Sequence, residues 1–142
     1  MVPEINYLAV LLAVVSSMVV GMLYYTPAVM GRQWMAAAGH TDESVRGGPP
    51  WLYPVVILAS FVTAWVLAGS TYLAHEFYGG GYLVNELVTG AILWLGFTAA
   101  RLLVHDLFDT RMLRLTAINA LHELITILVM ALILGVWPLA GL

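Results

Sequence analysis

Apolar and polar residues follow one another along this chain in long blocks. Four apolar runs dominate it, at residues 6–25, 51–75, 83–107 and 114–137. Each run is long enough to cross a membrane as a helix, because a hydrocarbon core of about 30 Å needs about 20 helical residues. Short connections place successive helices side by side and antiparallel. The pattern predicts an all-α, polytopic membrane protein, in which residues 1–142 form a single transmembrane domain built as a four-helix bundle.

The segment after the first run predicts a further, shorter helix. Pro27 stops or kinks the first transmembrane helix, because proline lacks the amide hydrogen that a helix interior requires. Residues 28–38 have a helix-forming composition that Gly39 ends, and Trp34 among them suits the headgroup depth of a bilayer. We therefore expect a short interfacial helix over residues 28–38, followed by a solvated loop.

Small residues recur at helical spacing in the first two runs. They are Ala9, Ala13, Ser17 and Gly21 in the first run, and Ser60, Ala64 and Ala68 in the second. Lipid gives apolar helices little reason to associate, but ridges of small residues let two backbones approach closely. We expect these ridges to pack helices together, within the bundle or between copies of the chain.

Polar residues interrupt the third and fourth runs. The predicted intramembrane polar cluster contains Thr98 and Arg101 from the third run, and Asn119, His122, Glu123 and Thr126 from the fourth. Such side chains should face protein, water or an ion, because lipid leaves them unsatisfied. Antiparallel packing places Arg101 level with Asn119, and the tilt of side chains toward their own N-termini brings Arg101 within reach of Glu123. Arg101 either pairs in this way or extends its guanidinium to the interface.

Composition supports the membrane class and narrows the chemistry. Hydrophobic residues make up 62% of the 142 residues and charged residues only 9%, whereas about a quarter of an ordinary soluble domain is charged. The five basic residues are all arginines, too few for a nucleic-acid surface, and no cysteine is present to bind metal or act as a nucleophile. His75, His105 and His122 each precede an acid, but neighbours on a helix point about 100° apart and do not chelate alone. We expect no cofactor, no metal site, no nucleic-acid partner and no enzymatic activity.

The arginines also predict how the chain is oriented. Arg32 and Arg46 lie between the first two runs, Arg111 and Arg114 lie between the last two, and the middle connection has none. Cytoplasmic loops of membrane proteins are enriched in basic residues. Both termini are therefore predicted to lie outside, on the opposite side of the membrane from the connections that carry arginine.

Several segments resemble a known family. The stretch YYTPAVMGRQWM, at residues 24–35, is similar to the Tyr-Ser/Thr-Pro, Gly-Lys/Arg and Trp-Met pattern that follows the first helix in DUF1761, a family of small bacterial membrane proteins of unknown function. WLGF at 94–97 and RLTAINALH at 114–122 are similar to that family's third and fourth crossings. The resemblance covers nearly the whole chain and implies a four-helix bacterial inner-membrane protein, but it carries over no activity. The matched positions, which we call the family-motif positions, are Tyr25, Pro27, Gly31, Trp34, Asn119 and His122.

Two classes of function fit these observations. A small oligomeric channel or carrier for an ion, a proton or a small solute would use the polar cluster as part of its path. A non-enzymatic structural or accessory subunit, associated with its own copies or with another membrane protein, would use the cluster only to specify helix packing. His122 and Glu123 fit either class, as a satisfied network or as part of an ion or proton path. In both classes the lipid bilayer surrounds the chain.

Overall fold

The structure, a computed structural model, describes residues 3–41, 43 and 49–139. Helices make up most of this part of the chain. They are α1 (Tyr7–Tyr24), α2 (Gly31–Ala38), α3 (Leu52–Tyr78), α4 (Tyr82–Phe108) and α5 (Leu113–Val136). Of these, all except α2 are long and apolar enough to span a membrane, with mean hydropathies between 1.8 and 2.2. The predicted fold, an all-α protein with four membrane-spanning helices in an antiparallel bundle and a short helix after the first, is confirmed.

The start of α1 and the end of α5 meet at one end of the bundle. The side-chain oxygen of Asn6 accepts hydrogen bonds from the backbone amides of Leu8 and Ala9 at 3.1 and 3.2 Å, and so caps α1. The side-chain nitrogen of Asn6 donates to the carbonyl of Trp137 at 3.1 Å, directly after α5. One asparagine therefore begins α1 and also holds it against the end of α5.

Glycines make the connection between α3 and α4 tight. Gly79 and Gly80 have φ angles of 66° and 85°, which residues with a Cβ rarely adopt. Asn85 closes the turn, because its side-chain nitrogen donates to the carbonyl of Gly79 at 2.8 Å. As a result α3 continues to Tyr78, past the predicted end at residue 75, before the chain reverses.

α5 occupies the centre of the bundle, and its main contacts are with α1 and α4. Met130, Ala131 and Leu134 of α5 are at most 4% exposed. The same buried cluster contains the ridge residues Ala9, Ala13, Ala64 and Ala68. The α1 ridge continues to Gly21, where an added Cβ would lie 3.5 Å from Nε2 of His122. Small residues therefore set how closely the helices approach, as expected for a bundle packed in lipid.

Large apolar side chains cover much of the outside of the four long helices. Examples are Leu11, Ile57, Ile92 and Leu132. A soluble protein rarely exposes apolar surface on this scale, whereas a bilayer accepts it without cost. The distribution of large residues outside and small residues inside is that of a membrane protein.

One turn of α4 is wider than the rest. Residues Trp94–Ala99 form a π-helical segment, in which hydrogen bonds join residues five positions apart. Trp94 anchors the segment to α5, because its indole nitrogen donates to the carbonyl of Ala120 at 2.9 Å. The wide turn therefore lies in direct contact with the central helix and includes Thr98 of the predicted polar cluster.

Candidate functional site

The family-motif segments, although distant in the sequence, meet at the end of the bundle that holds α2. Oη of Tyr25 donates to Oδ1 of Asn119 at 3.3 Å, across 94 positions. Oη of Tyr24 donates to the carbonyl of Ile118 at 2.8 Å. Burial, followed by the charge of Glu123 and the phenol of Tyr24, raises the pKa of Tyr25 to about 12, so its hydroxyl keeps its proton at neutral pH and remains a donor. These bonds attach the end of α1 to the start of α5.

A tight turn places α2 against that junction. The carbonyl of Thr26 accepts hydrogen bonds from the amides of Val29 at 3.0 Å and Gly31 at 2.9 Å. Pro27 takes the second position of the turn, where its fixed φ is favourable. At Gly31 an added Cβ would overlap the carbonyl oxygen of Tyr25 and lie 2.8 Å from the carbonyl group of Thr26. The turn needs glycine there, and it makes α2 begin at Gly31 instead of residue 28.

His122 lies at the centre of the junction. Its ring packs against Tyr24 and Tyr25, with centroids 5.2 and 4.9 Å away. Its Nε2 lies 3.5 Å from Oγ1 of Thr126, and its Nδ1 lies 3.4 Å from the carboxylate of Glu123. With only 15% of its side chain exposed and a polar group near each nitrogen, His122 is enclosed by protein and not by lipid.

A cavity of about 500 Å³ opens beside the junction, between α2, the start of α5 and the connection before α5. We call it the motif cavity, and its lining is Trp34, Ala37, Ala38, His40, Thr110, Arg111, Met112, Leu115 and Asn119. The Trp34 ring packs between the rings of Tyr25 and His40, with centroids 5.5 and 5.3 Å away. The volume is that of sites that hold small organic molecules. Two family-motif positions, Trp34 and Asn119, face this space, and Tyr25 and His122 support its wall.

The predicted intramembrane polar cluster divides between two faces of the bundle. Asn119 lines the motif cavity, and His122 contacts Thr126 beside α1. A separate groove of about 340 Å³, which we call the outer groove, is lined by Phe97, Thr98, Arg101, Leu102, His105 and Glu123. The division follows from helix geometry, since Glu123 projects about 100° away from His122 around α5.

Arg101 and Glu123 share the outer groove but do not pair with one another. Both belong to the described residues, and no ion pair within 4.0 Å joins them. The Glu123 carboxylate lies instead against His122, and 48% of its side chain is exposed. The structure therefore does not show Arg101 paired with Glu123 within the chain, which was one of the two alternatives for Arg101.

A buried acid, which no sequence motif predicts, lies near the motif cavity. Asp106 is 5% exposed and accepts a hydrogen bond from Oγ1 of Thr116 at 2.7 Å. The guanidinium of Arg111 lies 4.0 Å from Asp106 and 3.1 Å from Asp109. The sequence signal for this pair is position, because Asp106 and Thr116 lie at similar distances before and after the α4–α5 turn. This pair joins the end of α4 to the start of α5.

A second buried acid, Glu86, lies at the opposite end of the bundle. It is 0% exposed, and neither of its carboxylate oxygens has a hydrogen-bond partner. Thr71 of α3 is also 0% exposed, and its hydroxyl faces Glu86 without meeting hydrogen-bond geometry. The α5 backbone closes the site, since a Cβ at Gly135 would lie 3.2 Å from Cβ of Glu86. The sequence signal for this burial is that Glu86 lies four residues before the buried Gly90. Residues four apart lie on the same face of a helix.

Metal-binding side chains do not gather in any one place within the described ranges. No group of three His, Asp or Glu residues there could hold a metal ion. The polar sites found among the described residues include the motif cavity with His122 behind it, the outer groove, the Asp106 pair and the Glu86 site.

Comparison with known proteins assigns the chain to a family. The chain matches no curated protein and no solved structure. The family model described as protein of unknown function (DUF1761) matches residues 8–135. This range includes all four membrane-spanning helices except Tyr7 at the start of α1 and Val136 at the end of α5. The chain therefore belongs to the DUF1761 family of proteins of unknown function.

Proposed function

We propose that the protein is a small membrane carrier that binds a polar organic solute in the motif cavity. The observation that supports this most directly is that family-motif positions from two distant segments surround one open space. Trp34 and Asn119 line the cavity, and Tyr25 and His122 hold its wall in place. Residues that served only helix packing would not need to converge around a space of this size.

The lining indicates the kind of solute. Asn119 offers both a donor and an acceptor, Trp34 offers an aromatic face, and Arg111 offers a guanidinium. Arg111 is already paired with Asp109 at 3.1 Å, so the cavity holds little uncompensated positive charge. These groups favour a compact neutral or weakly anionic molecule with hydrogen-bonding groups and a flat surface.

The packing deeper along α5 favours a carrier over an open channel. Beyond His122 the buried residues of α5 are mainly apolar, and Met130, Ala131 and Leu134 are at most 4% exposed. A permanent aqueous path would need space between these residues and the neighbouring helices. A carrier, which opens its site to one side at a time, is compatible with such a closed apolar layer.

Uptake into liposomes tests the carrier function. The purified protein would be reconstituted and offered a panel of labelled amino acids, amides and small carboxylates. We expect uptake of at least one class, reduced about tenfold by Asn119→Ala or Trp34→Ala, which corresponds to a loss of about 1.4 kcal/mol of interaction. Trp65→Ala is the matched control, because Trp65 lies on the exposed face of α3 outside the cavity. Uptake no greater than in protein-free liposomes, or cavity variants that behave like the control, would overturn the proposal.

We further propose that the carrier is a homo-oligomer in which the outer groove is the contact between copies. Glu123 lies ten positions after Leu113, hence about 15 Å into α5, and its half-exposed carboxylate would otherwise meet lipid. A two-fold axis places the same groove on both copies, so Arg101 of one copy can face Glu123 of the other. The groove carries both charges and is in this sense self-complementary.

Charge reversal tests this interface. Arg101→Glu or Glu123→Arg alone should weaken the oligomer, because like charges then face each other, and the double variant should restore it. Mass measurement in detergent micelles and in lipid nanodiscs would report the number of copies. A monomeric wild type, or an oligomer indifferent to all three variants, would contradict the proposal.

A structural or accessory subunit is the second candidate, and the contacts of His122 favour it. Tyr24, Tyr25 and Thr126 surround the imidazole, so the junction can be regarded as a largely satisfied network that specifies helix packing. In this case His122→Ala would lower stability by about 1–3 kcal/mol, since it strands buried polar partners. A destabilised His122→Ala together with the absence of any transport would favour this candidate.

We propose that the protein lies in the bacterial cytoplasmic membrane with both termini outside. Arg32, Arg111 and Arg114 belong to the end of the bundle that holds α2, and Arg46 lies outside the described residues. Basic residues favour the cytoplasmic side, so the motif cavity would open toward the cytoplasm. We assign the chain no enzymatic role.

A further inference from the structure

We infer that Glu86 is a proton-binding site, and that it holds a proton in the conformation described here. The inference rests on three observations at the same place: Glu86 is completely buried, both of its oxygens lack a partner, and the hydroxyl of Thr71 beside it is buried and unpartnered as well. Buried carboxylates are normally paired or hydrogen-bonded, because an isolated charge away from water is very unfavourable. A neutral carboxylic acid removes that charge.

The surroundings supply no positive charge in place of a proton. Among the described residues, no arginine or histidine lies within ion-pair distance of Glu86. From α5, Gly135 closes the site, and it cannot titrate. From α3, Thr71 contributes only a hydroxyl.

The geometry favours a proton over a metal cation. A hard cation needs about six oxygen ligands, whereas this site offers two from Glu86 and one from Thr71. Leu83 and Glu86 already pack so closely on Gly135 that an added Cβ would lie 2.9 Å from Cα of Leu83 and 3.2 Å from Cβ of Glu86. A proton requires no such room. It also turns the carboxylate into a carboxylic acid, whose O–H can donate a hydrogen bond to the hydroxyl oxygen of Thr71.

Titratable side chains lie between Glu86 and the near end of the bundle. Tyr82 precedes Glu86 by one helical turn on the same face of α4, and the tilt of helical side chains directs Glu86 toward it. The Tyr82 ring packs on His75, with centroids 5.1 Å apart, and Nδ1 of His75 lies 3.1 Å from the side-chain nitrogen of Asn85. Tyr72 of α3 lies near Tyr82, and the acids Glu76 and Glu4 lie near Tyr72. We propose that these half-buried groups pass a proton between the enclosed acid and the end of the bundle.

The proton site lies at the opposite end of the molecule from the motif cavity. In a carrier, such a site can bind the proton whose movement drives solute transport, and this extension rests on the proposed function. Uptake and release change only the charge of Glu86, since the carboxylate gains a proton from water and returns it. Protonation of Glu86 itself does not depend on transport.

Infrared spectroscopy of the reconstituted protein tests the inference. At neutral pH we expect one carbonyl band of a protonated carboxylic acid, shifted in deuterated buffer, which Glu86→Gln loses and Glu76→Gln keeps. Glu76 is the matched control because it is an exposed glutamate in the last turn of α3. Absence of the band in the wild type, or its persistence in Glu86→Gln, would overturn the inference.

Two further measurements keep the test decisive. If Glu86→Gln does not fold, wild-type protein with selectively isotope-labelled glutamate replaces the variant. We expect the label to shift the carbonyl band at neutral pH. A band that does not shift would overturn the inference. If the wild type shows the band but transports no solute, the carrier proposal fails and the proton site stands. If solute uptake is normal in Glu86→Gln and independent of a pH gradient, the coupling role is excluded.

Discussion

Replacement of Gly31 by alanine tests how the turn after α1 positions α2. The added Cβ would overlap the carbonyl oxygen of Tyr25 and lie 2.8 Å from both carbonyl atoms of Thr26. These are backbone atoms held by hydrogen bonds of 2.9 to 3.2 Å, so no flexible side chain can move aside. Relief requires α2 to shift relative to the end of α1.

The expected magnitude follows from two opposing effects. Overpacking costs about 1–3 kcal/mol. Alanine in a helix gains at most about 1 kcal/mol over glycine. We therefore expect Gly31→Ala to lose about 1–2 kcal/mol of stability and to weaken solute binding in the motif cavity, whose wall α2 forms.

Reversible unfolding in mixed micelles, followed by circular dichroism, would measure the loss. Gly96→Ala is the matched control, because an added Cβ at Gly96 meets nothing within 4 Å. We expect this control to be as stable as the wild type or slightly more stable. If Gly31→Ala proved as stable as Gly96→Ala, the turn would not be the element that requires glycine.

Three other predictions concern packing and orientation. Asp106→Ala should cost about 1–3 kcal/mol in the same unfolding assay, because it leaves the buried hydroxyl of Thr116 without its acceptor; an unchanged midpoint would show that the pair contributes nothing. Gly135→Ala should destabilise the bundle by about 1–3 kcal/mol, since its Cβ would lie 2.9 Å from the α4 backbone, and wild-type stability would refute the close contact. Cysteine at Gly81 should react with impermeant thiol reagents in intact cells and cysteine at Gln33 only after the membrane is opened; the reverse pattern would invert the proposed orientation.

Sequence alone predicts the helices and their small-residue ridges because the bilayer leaves so few alternatives. Lipid cannot satisfy backbone hydrogen bonds, so each long apolar run must be a helix. Close approach without a hydrophobic drive must use small side chains, and Ala9, Ala13 and Ala64 are buried accordingly. Both inferences need only local pattern and the properties of the solvent.

The sites depend on how helices rotate about their axes, which local pattern does not determine. Arg101 and Glu123 both face the outer groove, yet they do not pair. The motif cavity depends on a turn whose hydrogen bonds place α2 over α5. Glu86 has no motif around it, and its burial follows from the close packing of α4 against Gly135.

The wide turn of α4 has a consequence for sequence length. A π-helical turn accommodates one residue more than an α-helical turn. A chain one residue shorter between Trp94 and Ala99 could form a regular α-helix there, and the residues from Ala100 to Phe108 would keep their orientation relative to the first half of α4, because the wide turn holds the extra residue. Asp106 would then still face Thr116, and Arg101 would stay in the outer groove. A deletion in a regular turn of α4 would instead rotate everything after it by about 100° and separate these contacts.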